Sequence, residues 1–169
     1  MKKQKIGIAT VYTGFNYGSA LQAFATKSLL SEMGYEGEVL KLSGNLLPGR
    51  DVRVKKILTV LFRSMLHPGG VKSLKNYGDS IKKPLSRESA EMFRQFADYH
   101  IRPYEEKYNN LKNLAHSDEY CAFLCGSDQI WNSAVFYVDP FYYLRFAPEG
   151  KRIAFAPSFG RDFIPNYNK

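Results

Sequence analysis

Cysteine is scarce in this 169-residue chain, with only Cys121 and Cys125 present. On an extended segment their Cα atoms would lie roughly 13 Å apart, beyond the reach of a disulfide. No histidine stands between or beside them to suggest a zinc site. They are expected to be two buried thiols facing the same side of a strand, in a reducing compartment. Long apolar runs are also lacking. Nothing approaches the roughly 20 residues of a membrane span. The start, Met1 to Lys5 and then Ile6 to Val11, is too short and too basic for a signal peptide. A cytoplasmic protein is expected. Histidine is limited to His67, His100 and His116, none beside a nucleophile, so no triad is suggested. Acidic residues number 16 against 24 basic ones, a net charge of +8. That excess suits anionic partners, or simply keeps the chain soluble. No base-reading motif accompanies it, so nucleic acid is not an expected partner. Repeats and low-complexity stretches are absent.

What is present is the balance of a soluble globular domain, 44% hydrophobic and 24% charged. The length suffices for one domain with a real core. Aromatic residues make up 15%, with 12 Tyr and 12 Phe, so some must be half-buried or line a cleft. Ile6 to Tyr12 reads as a buried strand of a parallel sheet. After the turn at Thr13–Gly18 the period becomes helical. Leu21, Ala25, Leu29 and Met33 fall on one expected apolar face, with Phe24 and Leu30 beside them, and Gly34 supplies a stop. Glu38 to Leu42 is a second strand, completing a βαβ unit.

The middle differs. Asp51 to Leu66 has an amphipathic helical pattern carrying Arg53, Lys55, Lys56 and Arg63, and Pro68-Gly69-Gly70 breaks it. The basic tone continues through Lys72, Lys75, Lys82 and Lys83 to a helix at Arg87–Tyr99 with an apolar stripe of Met92, Phe93 and Phe96. This basic helical insertion, at about 45–100, holds most of the excess charge. It is either a solvated face or a contact surface for an anionic acceptor or membrane. Strands then resume at Tyr120–Cys125 and Arg152–Ala156, after a short helix at Leu111–His116 and an aromatic segment at Phe141–Phe146.

Three of these strands run into small or polar residues: Asn16-Tyr17-Gly18-Ser19, Gly126-Ser127-Asp128-Gln129, and Ser158-Phe159-Gly160. In a parallel sheet their carboxyl ends share one edge, where ligands bind. Glycine near Asn16 allows close backbone approach and positive φ. The helix opening at Gly18 and Ser19 is either an anion site or merely one capped by Asn16 or Ser19. Neither G-x-G-x-x-G nor G-x-x-x-x-G-K-[ST] occurs. Asp128 could cap a following helix, hydrogen-bond a sugar hydroxyl or act on it as general base. Trp131 could be a sugar platform or part of the core, and Asn132 could hydrogen-bond a sugar.

The segments Asn16-Tyr17-Gly18-Ser19-Ala20-Leu21-Gln22-Ala23, Phe123–Asn132 and Tyr142–Gly160 resemble blocks of the polysaccharide pyruvyl transferase family, in the family's order. The resemblance implies a GT-B-like pair of Rossmann-like lobes. It implies transfer of pyruvate from phosphoenolpyruvate, a donor substrate rather than a cofactor, onto a sugar diol as a ketal, in cell-envelope exopolysaccharide synthesis. Residues 1–169 would be the amino-terminal lobe, with the carboxyl-terminal lobe absent. The donor's arginines and histidines would lie mainly in that absent lobe, leaving this chain inactive or dependent on a partner or on self-association. Asp128 would be the catalytic residue. Asn16, Tyr17, Gly18, Ser19, Gly126, Ser127, Gln129, Trp131, Asn132 and Ser158 would hold the sugar or glycan-lipid acceptor, with no metal. The alternatives are a glycosyltransferase lobe of similar architecture and a non-catalytic glycan- or anion-binding module.

Overall fold

Five strands, all parallel, form one sheet in the order β3-β2-β1-β4-β5. They are β1 (Lys5–Ala9), β2 (Glu36–Leu42), β3 (Tyr104–Glu106), β4 (Tyr120–Asp128) and β5 (Arg152–Pro157). The computed structural model describes residues 3–13, 16–43, 58, 61–62, 86–132 and 141–164. The chain starts in the centre of the sheet, builds outward to β3, then returns to the other side of β1. Strand order therefore reverses between β1 and β4, the arrangement of a Rossmann-like α/β fold. The short β3 was not foreseen; its three residues carry no apolar alternation.

Helix α1 (Tyr17–Glu32) is capped by Asn16, whose Oδ1 accepts from the Gly18 and Ser19 amides at 2.9 and 3.4 Å. It ends where Gly34 takes a φ of +90°, with Tyr35 N–H donating to the Leu30 carbonyl and Gly34 N–H to that of Ser31. Its buried face corrects the expected one. Leu21, Leu29 and Met33 are exposed, the last two along a cavity that also borders Ile6, Leu124, Ile153 and Phe155, while Ser19, Ala20, Ala23, Thr26 and Leu30 are buried, Ala23 and Leu30 in the core against the sheet. Small side chains let the helix approach the strands closely, which a row of leucines would prevent.

Helix α2 (Arg87–Phe96) runs into a wide turn at Ala97–Ile101, closed by Arg102 N–H on the Ala97 carbonyl at 2.8 Å. Lys27 donates to the Ile101 carbonyl at 2.7 Å. No α2 residue is fully buried. Phe93 packs on Tyr17 and Phe96 on Phe24, while Met92 of the expected stripe is exposed. Of the helix expected at 51–66, Leu58, Leu61 and Phe62 are helical and exposed. The remainder of that helix and the basic run to Lys83 lie outside the described residues. Among the described residues no helix is long and apolar enough to cross a membrane.

The sheet has a core on each face. One joins Ala9, Leu40, Phe123 and Cys125 to Leu111 and Ala115 of α3 (Tyr108–Ala115) and to Phe141, Leu144 and Phe146. The aromatic segment thus fills the core, with Phe146 edge-on to Phe123 at 5.2 Å. The other core joins Ile6, Ile8, Val39 and Leu124 to Ala23, Leu30 and Ile101. The two thiols do not face the same side. Cys125 is buried in the first core, whereas Cys121 is half-buried against the second. The cause is a register shift: Lys5 pairs with Tyr120 but Ile6 with Ala122. The extra residue breaks the two-residue alternation on which the expectation rested. At the sheet's end among the described residues, β5 leaves Ile153 to Ala156 exposed.

Candidate functional site

The carboxyl ends of β1, β4 and β5 lie along one edge, and the turns that follow carry most of the candidate residues. Leaving β1, Thr10 is buried and donates from Oγ1 to Gln22 Oε1 at 3.1 Å. The Gln22 amide nitrogen lies 3.4 Å from Thr26 Oγ1. This chain of polar groups ties the strand end to the first turns of α1. Asn16 is the helix cap, and its side chain satisfies two of the amides that an anion would otherwise meet. Gly18 does not use the positive φ open to glycine, and Gly14 on the other side of Asn16 lies outside the described residues. Gly18 lies in the first turn of α1, where helical φ suits any residue, and an added Cβ would lie 3.3 Å from Asn16 Oδ1. Ser19 faces inward and is buried. Tyr17 is exposed, its ring 4.4 Å from that of Phe93, and it lines an apolar cavity of about 210 Å³ between α1 and α2.

The β4 and β5 turns are joined into one unit. Ser158 N–H donates to the Asp128 carbonyl at 2.9 Å, and Trp131 N–H to the Ser158 carbonyl at 3.2 Å. Gly126 is buried at a φ of +118°, and a Cβ there would fall 2.0 Å from the Phe155 carbonyl oxygen. Only glycine fits so close to the neighbouring strand. Ser127 is half-buried. Asp128 is exposed at a φ of +75°, and across the pair Ala156 is at +47°. Non-glycine residues held in this region store strain, and such strain gathers at binding and catalytic sites.

Gln129 is exposed but anchored. Its backbone carbonyl accepts from Asn132 N–H at 2.9 Å and its Oε1 from Asn132 Nδ2 at 3.0 Å. Asn132 itself is buried. Trp131 is half-buried against the core, stacked on Tyr143 with centroids 5.4 Å apart, and its Nε1–H donates to the Tyr142 carbonyl at 3.0 Å. Phe159 lies 5.6 Å away on centroids. The indole is therefore partly committed to packing.

The structure brings Gly126, Ser127, Asp128, Gln129, Trp131, Asn132 and Ser158 into one bonded bracket. Asn16 and Tyr17 reach the same edge through β1, and Ser19 is turned beneath it. Sequence reasoning quoted Gly160 and Gln22 within their segments but picked neither, nor Thr10, as a site residue. For Gly160 the signal was available, a glycine closing the Ser-Phe-Gly turn. Thr10 and Gln22 pair across twelve positions, and no local pattern announces that.

Electrostatically the edge is sparse. Among the described residues directly after β1, β4 and β5 (10–13 and 16, 129–132, 158–164) the one cation is Arg161, whose guanidinium lies 5.5 Å over the Phe163 ring, while Arg145 stands exposed in the later turn that leads to β5. Burial pushes the Cys125 thiol up to about 11 and the Tyr12 phenol up to about 12, the latter helped by Glu105 and Asp98. Burial also raises Tyr143. Among the described residues no cluster of three or more histidine, cysteine, aspartate or glutamate side chains could hold a metal. What the edge offers is an exposed carboxylate and side-chain amides, which hydrogen-bond hydroxyls, and aromatic surface, which packs on apolar C–H faces.

Searches of the curated proteins and of the solved structures return no match. The family model described as polysaccharide pyruvyl transferase matches residues 16–169, which takes in α1 from its Asn16 cap onward and the turns after β4 and β5. The chain therefore belongs to the polysaccharide pyruvyl transferase family.

Proposed function

We propose that this chain provides the acceptor wall of a pyruvyl ketal transferase, with Asp128 as the base that receives a proton from a sugar hydroxyl. The supporting observation is Asp128 itself: exposed, held at positive φ, and next to the point where strand order reverses. In the reaction the methylene carbon of phosphoenolpyruvate is protonated. A sugar oxygen bonds to C2 and gives its proton to Asp128. The bond from C2 to the phosphate oxygen breaks and inorganic phosphate leaves; the second hydroxyl oxygen then bonds to C2 and closes the ketal, its proton passing to the departing phosphate. Asn16, Tyr17 and Trp131 would border the sugar, with Asn132 and Gln129 holding the turn.

The donor carries a phosphate and a carboxylate, and each requires cations in a low-dielectric site. Arg161, the one cation among the described residues directly after these strands, does not supply them. On this reading the donor is gripped by groups outside these turns, in a second Rossmann-like lobe of a GT-B-like pair, and the present chain transfers little or no pyruvate by itself. The setting is cytoplasmic synthesis of cell-envelope polysaccharide on a sugar or glycan-lipid acceptor. The sparse cations equally favour a non-catalytic glycan-binding module, and the two readings part at the turnover of Asp128→Asn in a complete relative, which stays unchanged if Asp128 only binds or caps.

The test has two arms. Phosphate release from phosphoenolpyruvate with sugar acceptors should be near background for this chain; robust turnover would overturn the missing-donor reading. Methyl β-D-galactopyranoside titrated by NMR should perturb the Asp128 and Trp131 resonances. Asp128→Asn should weaken it about tenfold, the effect of losing a charged hydrogen-bond acceptor. Unchanged binding would remove Asp128 from the acceptor site.

A further inference from the structure

Gly160 lies beyond β5 at a φ of +60°, and its Cα faces the Gln129 side chain. A Cβ there would fall 2.3 Å from Gln129 Oε1, 2.4 Å from Cδ and 2.8 Å from Cγ. The same Oε1 accepts the 3.0 Å hydrogen bond from Asn132 Nδ2. Asn132 is only 4% exposed, so its amide is a fixed point within the protein. The side chain of Gln129 is thus confined between a buried amide and a bare Cα. Residue 129 is the immediate neighbour of Asp128, whose carbonyl is in turn held by Ser158 N–H.

We propose that Gly160 is a positioning residue: its missing side chain leaves the slot in which Gln129 locks onto Asn132, and that lock sets the orientation of the Asp128 turn. The two glycines of this bracket then have different tasks. At Gly126 the obstructing atoms are the backbone of β5, so glycine there is a condition of strand pairing. At Gly160 they belong to a flexible side chain that can yield, so a larger residue would leave the sheet intact and displace Gln129. Conformation and crowding can be separated, because asparagine tolerates positive φ far better than alanine yet still carries a Cβ.

The functional part of this inference rests on Asp128 as an acceptor residue; the mechanical part does not. The experiment uses the full chain as Gly160→Ala, Gly160→Asn, Gln129→Ala and the double variants Gly160→Ala with Gln129→Ala and Gly160→Asn with Gln129→Ala. NMR reads hydrogen exchange of the Asn132 side-chain amide and of the Asp128 and Gln129 backbone amides. Exchange at Ile8 and Leu124 reports that the sheet is intact. Both Gly160 variants should speed exchange at Asn132 by about fivefold, as expected for loss of one hydrogen bond. They should shift the Asp128 amide and weaken methyl β-D-galactopyranoside by a similar factor. In the Gln129→Ala background either change should add less than about twofold, since its effect travels through Gln129. An effect of Gly160→Ala absent from Gly160→Asn, or one that persists undiminished without Gln129, would overturn the proposal. Failure of the native chain to bind the pyranoside would instead sink the acceptor reading, and the amide-exchange arm would still decide the role of Gly160.

Discussion

Replacing Gly126 with alanine tests whether the β4–β5 bracket holds this half of the sheet together. The new Cβ would lie 2.0 Å from the Phe155 oxygen, 2.9 Å from its carbonyl carbon and 3.3 Å from Pro157 N, all backbone atoms of β5. No rotamer relieves that overlap; the strands must part. The φ of +118° adds about 1–3 kcal/mol of strain for a non-glycine residue. Parting the strands puts at risk the bonds from Ser158 N–H to Asp128 and from Trp131 N–H to Ser158, each worth about 1 kcal/mol. Together the loss is about 3–5 kcal/mol, a large part of the roughly 5–15 kcal/mol that stabilises a domain. For a chain of this length it corresponds to a fall in Tm of about 6–20 °C. The assay is urea unfolding followed by far-UV circular dichroism and by Trp131 fluorescence. Gly150→Ala is the control, because no atom lies within 4 Å of its added Cβ. A loss below about 1 kcal/mol at an unchanged m value would refute the reasoning, since that overlap cannot be relieved without strand movement.

Other outcomes follow from the same contacts. Ala23→Leu should cost about 1–3 kcal/mol by overpacking the face of α1 that meets the sheet, whereas Leu21→Gln on the exposed face should stay within about 0.5 kcal/mol; similar losses from both in urea unfolding would restore the leucine stripe. Asn16→Ala should cost about 1 kcal/mol by uncapping α1, and Asn16→Asp should recover most of it, as read by thermal unfolding. Cys125 and Tyr12 are held neutral by burial, with values pushed up to about 11 and about 12. Their stabilising contribution is complete below the unfolded-state values and is lost as pH rises through the folded ones, so stability should fall from about pH 9 upward. Urea midpoints at about pH 8 and about pH 10.5 measure that slope, and a Cys125→Ala chain should show a shallower one.

The sheet was legible because each strand except β3 announces itself by an apolar run, and the carboxyl edge followed from parallel topology. The polar turns at Asn16, Asp128 and Ser158 were found because small and polar residues interrupt those runs. What escaped was set by contacts distant in sequence. The buried face of α1 could not be chosen from periodicity: Leu21, Leu29 and Met33 make the better stripe, yet close approach to the strands selects Ala20, Ala23 and Thr26. The opposed thiols depend on one inserted residue in the β1–β4 register, which leaves no trace in the pattern around Cys121. Trp131 could be a platform or core from sequence; its stack on Tyr143 and bond to the Tyr142 carbonyl come from residues twelve and eleven positions on.

The position of β1 at the centre of the sheet has a consequence for how the chain is made. Strand β1 leaves the ribosome before β2, whose partner residues lie roughly 30 positions on, and the two can pair as soon as β2 has been synthesised. The other side of β1 must wait for β4, roughly 115 positions away. Closing that longer loop costs only about 1 kcal/mol more in chain entropy, so the final pairing is hardly less stable for being distant. The delay in time is the larger matter. At about 5–20 residues per second the bare side of Ile6 and Ile8 faces the cell for several seconds. During that interval the nascent βαβ unit depends on cover from elsewhere, and solubility during synthesis will be decided before the Asp128 turn exists.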